Sequence, residues 1–141
     1  MEDLNSQIAQ AAEHAVALGR ARSNDFDYSE ASLVAVEAML AEASHWVGGM
    51  LAEQQTTLVQ NFGCYILEVG RRAFGGRYQW HNQHNQPVLV VGEPTFRVAI
   101  MTWDKVRGRL NGDTADNIPF FYQGFAQRAR LAEPGTDMLY V

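Results

Sequence analysis

A chain of 141 residues, 47% apolar and 19% charged, suits one globular domain with a single core; it is too short for two independent domains and too apolar to be disordered over most of its length. Its longest apolar runs, such as Val88-Leu89-Val90-Val91, fall far short of the roughly 20 residues a membrane-spanning helix needs. The net charge of −5, from 11 basic and 16 acidic side chains, argues against general nucleic-acid binding, which calls for a basic stripe.

Residues 3–21 have a helical period, with Leu4, Ile8, Ala11, Ala12, Ala15 and Leu18 recurring at three and four and Gly19 near the end. Ser23 to Tyr28 is polar and turn-like, with Phe26 and Tyr28 placed to pin it to the core. Ser29 is the expected cap of a second helix, whose stripe of Leu33, Val36, Leu40, Ala43 and Val47 runs until Gly48-Gly49. A third helix is expected from about Thr56 or Thr57 to Phe74, with Leu58, Phe62, Tyr65, Ile66, Val69 and Ala73 on one broad face. It is the candidate central helix of the core. Gly63 and Gly70, seven apart on it, would permit close approach of another backbone.

From Arg77 the period changes to two. Strands are expected at Arg77 to His81, Pro87 to Val91 and Thr95 to Ile100, joined as an antiparallel meander. Thr102 is read as the cap of a short helix through Leu110, and Asn117 as the cap of a last helix ending before Pro134-Gly135. Met138 to Val141 is an edge strand or a tail. The expected fold class is α+β, a single domain over 1–141 with N-terminal helices and a central helix on one face of a small antiparallel sheet.

Charge is uneven along this order. Residues 1–53 hold nine acids and two bases, and residues 54–141 hold seven acids and nine bases. The opening Met1-Glu2-Asp3 is unlike a secretory signal, and the lone Cys64 has no partner for an internal disulfide; both make the cytoplasm the expected compartment.

The string from Phe62 to Arg72, followed by Gly75-Gly76-Arg77-Tyr78-Gln79-Trp80, resembles a bacterial family of domains of unknown function. That family has a helix of the form G-x-Y-x-x-E-V-x-R-R, a Gly-Gly stop and a Trp-ending strand. The resemblance spans roughly residues 26–125; Pro87 to Val91 and the run Lys105 to Gly112 stand where the family has an apolar strand and a basic short helix. Leu67 departs from it, standing where a second glycine is frequent. The resemblance implies a stand-alone cytoplasmic module without assigned activity, some similar proteins being immunity proteins encoded beside bacterial toxins.

Glu68 lies three and four residues before Arg71 and Arg72, so a helix ion pair is expected there; Cys64, inside an apolar helix, is expected to be buried and inert. The alternative role for the basic residues is anion capture, if Arg72, Arg77, Arg107 and Arg109 converge. His81 and His84 form a His-x-x-His pair, too few ligands for a zinc site; without a phosphate-binding loop or dinucleotide fingerprint, no metal or cofactor is expected. Trp46, Trp80 and Trp103 are read as core anchors, any one left exposed being a natural interface hot spot. The functional expectation is therefore a non-enzymatic protein-binding module, most specifically an immunity protein. Its test contacts are Asp25, Asp27, Glu30, Glu37 and Glu42 on the acidic helices. The rival is a small enzyme or ligand-binding domain using Glu68, His81 and the nearby arginines.

Overall fold

In the computed structural model, which describes residues 3–141, one long helix forms the centre of the molecule. This helix, α3 (Ala52–Phe74), is buried at every position from Asn61 to Gly70, as its apolar density predicts. Beside it lie α1 (Leu4–Ala21) and α2 (Leu33–Ala43) on the N-terminal side, and α4 (Trp103–Leu110) and α5 (Ile118–Leu131) on the C-terminal side. Four strands complete the α+β fold in the order β1 (Arg77–His81), β2 (Gln86–Val91), β3 (Arg97–Ile100) and β4 (Asp137–Tyr140). No helix among the described residues is long and apolar enough to cross a membrane.

Period-two alternation divides the sheet's residues between its faces. Leu89, Val91, Val98 and Ile100 join the helical core, whereas Val88, Val90, Ala99 and Met101 form a separate buried cluster. The first three strands make the expected antiparallel meander. The fourth corrects the expectation of a wholly antiparallel sheet: β4 pairs parallel to β3, with Val98 opposite Met138 and Ile100 opposite Tyr140. Parallel neighbours need a crossover of a dozen or more residues, and the segment with α4 and α5 supplies it.

Three helix ends differ from the sequence reading. The second helix stops at Ala43 rather than running to Gly48-Gly49: beyond Ser44 the backbone tightens into turns, the His45 and Trp46 amides donating to the Glu42 and Ala43 carbonyls. The third begins at Ala52, before Thr56 and Thr57: Gln54 folds back so that its side-chain oxygen accepts the Leu51 N–H at 3.0 Å. Thr102 precedes α4 without capping it, and its hydroxyl instead donates to the Gly63 carbonyl at 2.7 Å. Gln86 takes over the capping, accepting the Trp103 N–H at 3.0 Å. Asn117 caps α5 as expected, accepting from the Phe120 amide, whereas Ser29 caps a 3-10 turn over Glu30–Ser32 that leads into α2, accepting from the Ser32 amide.

Candidate functional site

The residues of the G-x-Y-x-x-E-V-x-R-R string tie α3 to its neighbours. Tyr65 stacks on Tyr28 with ring centroids 4.9 Å apart, and its hydroxyl oxygen accepts the Tyr28 N–H at 2.9 Å. The Arg72 guanidinium lies 3.6 Å from the Tyr28 ring centroid, and Arg71 sits over Tyr78. Glu68 makes no ion pair with Arg71 or Arg72, which corrects the helix-pair expectation; its carboxylate accepts the Tyr78 hydroxyl at 2.5 Å. The geometric reason is that β1 brings Tyr78 onto the buried carboxylate while both arginines reach aromatic faces. Cys64 is buried beneath this layer, and burial pushes its thiol up to about 12, far from an activated thiolate.

The other basic candidates do not converge. Arg77 donates to Glu93 at 2.7 Å, which holds the Glu93 carboxyl below its ordinary range. Arg107 is exposed on α4. Arg109 pairs with Glu37 at 2.5 Å, their side chains only 10% and 17% exposed. The other Glu37 oxygen accepts the Ile118 N–H at 3.0 Å, so this carboxylate joins α2, α4 and the start of α5. Glu30 is likewise engaged within the fold, by Arg130 and by the Tyr122 hydroxyl. Asp25 and Asp27 remain exposed on the loop after α1, where Asp27 accepts the Ser29 N–H and its carboxyl is held below the ordinary range by hydrogen bonds from Ser29. Glu42 is exposed and paired with Arg22 at 2.7 Å. His81 accepts the His84 N–H, and no cluster of three or more metal-ligating side chains exists among the described residues.

Surface shape points to a different place, the seam between α1 and α3. A groove of about 680 Å³ runs there, floored by Ala17, Leu18, Thr57 and Leu58 and bordered by His14 and Glu53. Leu18 and Leu58 also line a second hollow of about 280 Å³ that reaches Met39, Glu42, Trp46 and Met50. Trp46 is 65% exposed and Leu51 68%, in the short turns joining α2 to α3. Alanines on α1 leave the seam unfilled, Ala17 at this groove, with Ala11 and Ala21 at neighbouring hollows on either side. Of the five acidic test contacts, the structure brings Glu42 to this region; Glu53, missed by the sequence reading, joins it. Neither Trp46 nor Trp80, 65% and 41% exposed, is the core anchor expected; the helix ends before Trp46, whose greater exposure makes it the stronger hot-spot candidate. Comparison of the chain with protein-family models, with curated protein sequences and with solved structures gives no match.

Proposed function

We propose that this chain is a non-enzymatic protein-binding module whose binding face is the region around Trp46, Leu51 and the α1–α3 groove. The observation that carries the reading is a tryptophan 65% exposed on a hollow that adjoins an apolar groove bordered by the exposed Glu53. An exposed indole keeps a large apolar surface in water, and burying such an anchor in a partner is a main source of interface affinity. The exposed acids Asp25, Asp27 and Glu53 outnumber Arg20, the other exposed arginine of residues 3–53, Arg22, being paired with Glu42, and they would steer a basic partner. The specific form of the reading, carried by the sequence resemblance, is an immunity protein that neutralises a cognate bacterial toxin by direct binding.

The test is affinity purification of the tagged chain from its native cells, in wild-type form and as Trp46→Ala and Asp25→Lys/Asp27→Lys variants. One near-stoichiometric protein is expected with the wild type, lost with Trp46→Ala and weakened by the charge reversal. No such partner, or one indifferent to Trp46→Ala, overturns the reading. The immunity form further requires that the partner arrest growth when expressed alone and that co-expression of this chain restore it.

A further inference from the structure

We infer that the exposed crest of α5 is the contact between two copies of this chain, which meet as an antiparallel helix pair about a twofold axis at Gly124. Phe120 and Leu131 are the two most exposed large apolar side chains among the described residues, at 77% and 72%, and both stand on this helix. The inner side of α5 packs into the core through Tyr122, Phe125, Ala126 and Ala129. The outer side carries Phe120, Gly124, Gln127 and Leu131, spaced by four, three and four residues, which is the spacing of a seam between paired helices.

This seam is complementary to itself. Phe120 projects from its N-terminal end, while Gln123, Gln127, Arg130 and Leu131 enclose a hollow of about 400 Å³ on its C-terminal half. A side chain entering a recess made by four residues of the facing helix is the unit of such packing. Knob and recess lie on one helix, and the midpoint between Phe120 and the centre of the recess falls at Gly124. An antiparallel second copy crossing there therefore places each Phe120 in the other's recess. The crossing point suits close backbones: a Cβ at Gly124 would meet only the Tyr140 ring, at 3.4 Å.

Charge and area fit the same occupant. The helix from Ile118 to Leu131 contains no acid to attract a basic partner. Arg130 is paired with Glu30, whereas Arg128 makes no ion pair and donates to the Tyr140 hydroxyl at 3.4 Å. The twofold sets Arg128 of one copy level with Phe120 of the other, cation beside aromatic ring. The two Arg128 residues stay about 12 Å apart along the axis, beyond a Debye length of about 8 Å. Phe120 keeps roughly 150 Å² in water, so the two rings together remove about 300 Å². Leu131 and the exposed Gln123, Gln127 and Arg128 of each copy bring the total toward about 1,000 Å², the lower bound of a specific interface. None of these residues lines the α1–α3 groove or the hollow at Trp46, so this contact is separate from the binding face proposed above.

Sedimentation equilibrium of the full chain over about a hundredfold range of concentration tests the pair. A reversible monomer–dimer equilibrium is expected, weakened at least tenfold by Phe120→Ala and abolished by Phe120→Lys, which sets a cation among the partner's arginines. Both changes fall on a side chain in solvent, and circular dichroism checks that the fold is kept. Gly124→Cys and, beside it, Gln123→Cys report the geometry, Cys64 being buried. In oxidised glutathione at least one of them is expected to join two copies by a disulfide, whereas Ala17→Cys on α1 is not. A monomer at every concentration overturns the inference, as does a dimer that Phe120→Lys leaves intact. So does a dimer that Phe120→Lys dissolves but neither cysteine cross-links, because the helices then do not cross antiparallel at Gly124.

Discussion

Glu37 uses both carboxylate oxygens inside the fold, one on Arg109 of α4 and the other on the first amide of α5, and its value there differs from that of an acid on a solvated helix face. Removing one member of a largely buried pair leaves the other charge without compensation, at a cost of about 3–5 kcal/mol. Glu37→Ala is therefore expected to lower the unfolding free energy by about 3 kcal/mol in urea denaturation. The double variant Glu37→Leu/Arg109→Met should recover part of that loss, because the orphaned guanidinium is gone. A single-variant effect below about 1 kcal/mol would place the pair among solvated surface bridges. Glu30 and Glu42 show the same contrast: all three acids look alike on a helix in the sequence, yet Glu30 and Glu37 hold the fold while Glu42 lies exposed at the groove's end. The local pattern around an acid does not name a partner 72 or 100 positions away.

Among the elements, α3 tests how much a glycine pair on one helix face can differ. The sequence marks Gly63 and Gly70 as equivalent points of close backbone approach; the structure presses side chains against both, with unequal freedom to yield. A Cβ at Gly63 would lie 2.4 Å from Cδ1 of the Trp103 indole and 3.1 Å from the Thr102 hydroxyl that holds the Gly63 carbonyl. At Gly70 the nearest atom is a Leu89 methyl at 3.1 Å, the far end of a flexible side chain. Gly63→Ala is expected to destabilise by about 1–2 kcal/mol, overpacking outweighing the gain in helix propensity. Gly70→Ala should be near neutral, since a propensity gain of up to about 1 kcal/mol offsets the shift of one methyl. Chemical denaturation of the two variants side by side reads the difference, and equal effects would refute it. The core stretch of α3 was legible because ten consecutive positions carry its burial, whereas its start was not, because Gln54 rather than a hydroxyl side chain closes the first turn.

For the molecule as a whole, the dependence of stability on pH follows from where carboxylates meet donors. Asp3 caps α1 through the Ser6 amide, Asp27 accepts from Ser29, and Glu93 faces Arg77, and each is held below its ordinary value of 3.8 for the aspartates and 4.5 for the glutamate. A carboxyl whose folded value is depressed contributes stability that is present above the unfolded value and lost as pH falls through the folded one. The melting temperature is therefore expected to hold between about pH 7 and pH 5 and to fall progressively below about pH 4.5, as followed by circular dichroism. A midpoint independent of pH down to 3 would show that these three contacts do not form in solution.

The order of the five helices and the first three strands, the α+β class, the central place of α3 and the cap at Asn117 were all determined by the sequence read locally. Periods of 3.6 and 2 and the capping chemistry of single side chains act within a few residues. Tertiary structure alone decided that β4 runs parallel to β3, that the Thr102 hydroxyl serves Gly63 while Gln86 caps α4, and that Glu68 meets Tyr78 instead of its helical neighbours. It alone opened the α1–α3 groove and left Trp46 in solvent. The physical reason is one of range: each of these outcomes depends on which surfaces are brought together by packing, and that is a property of the closed chain rather than of any window along it.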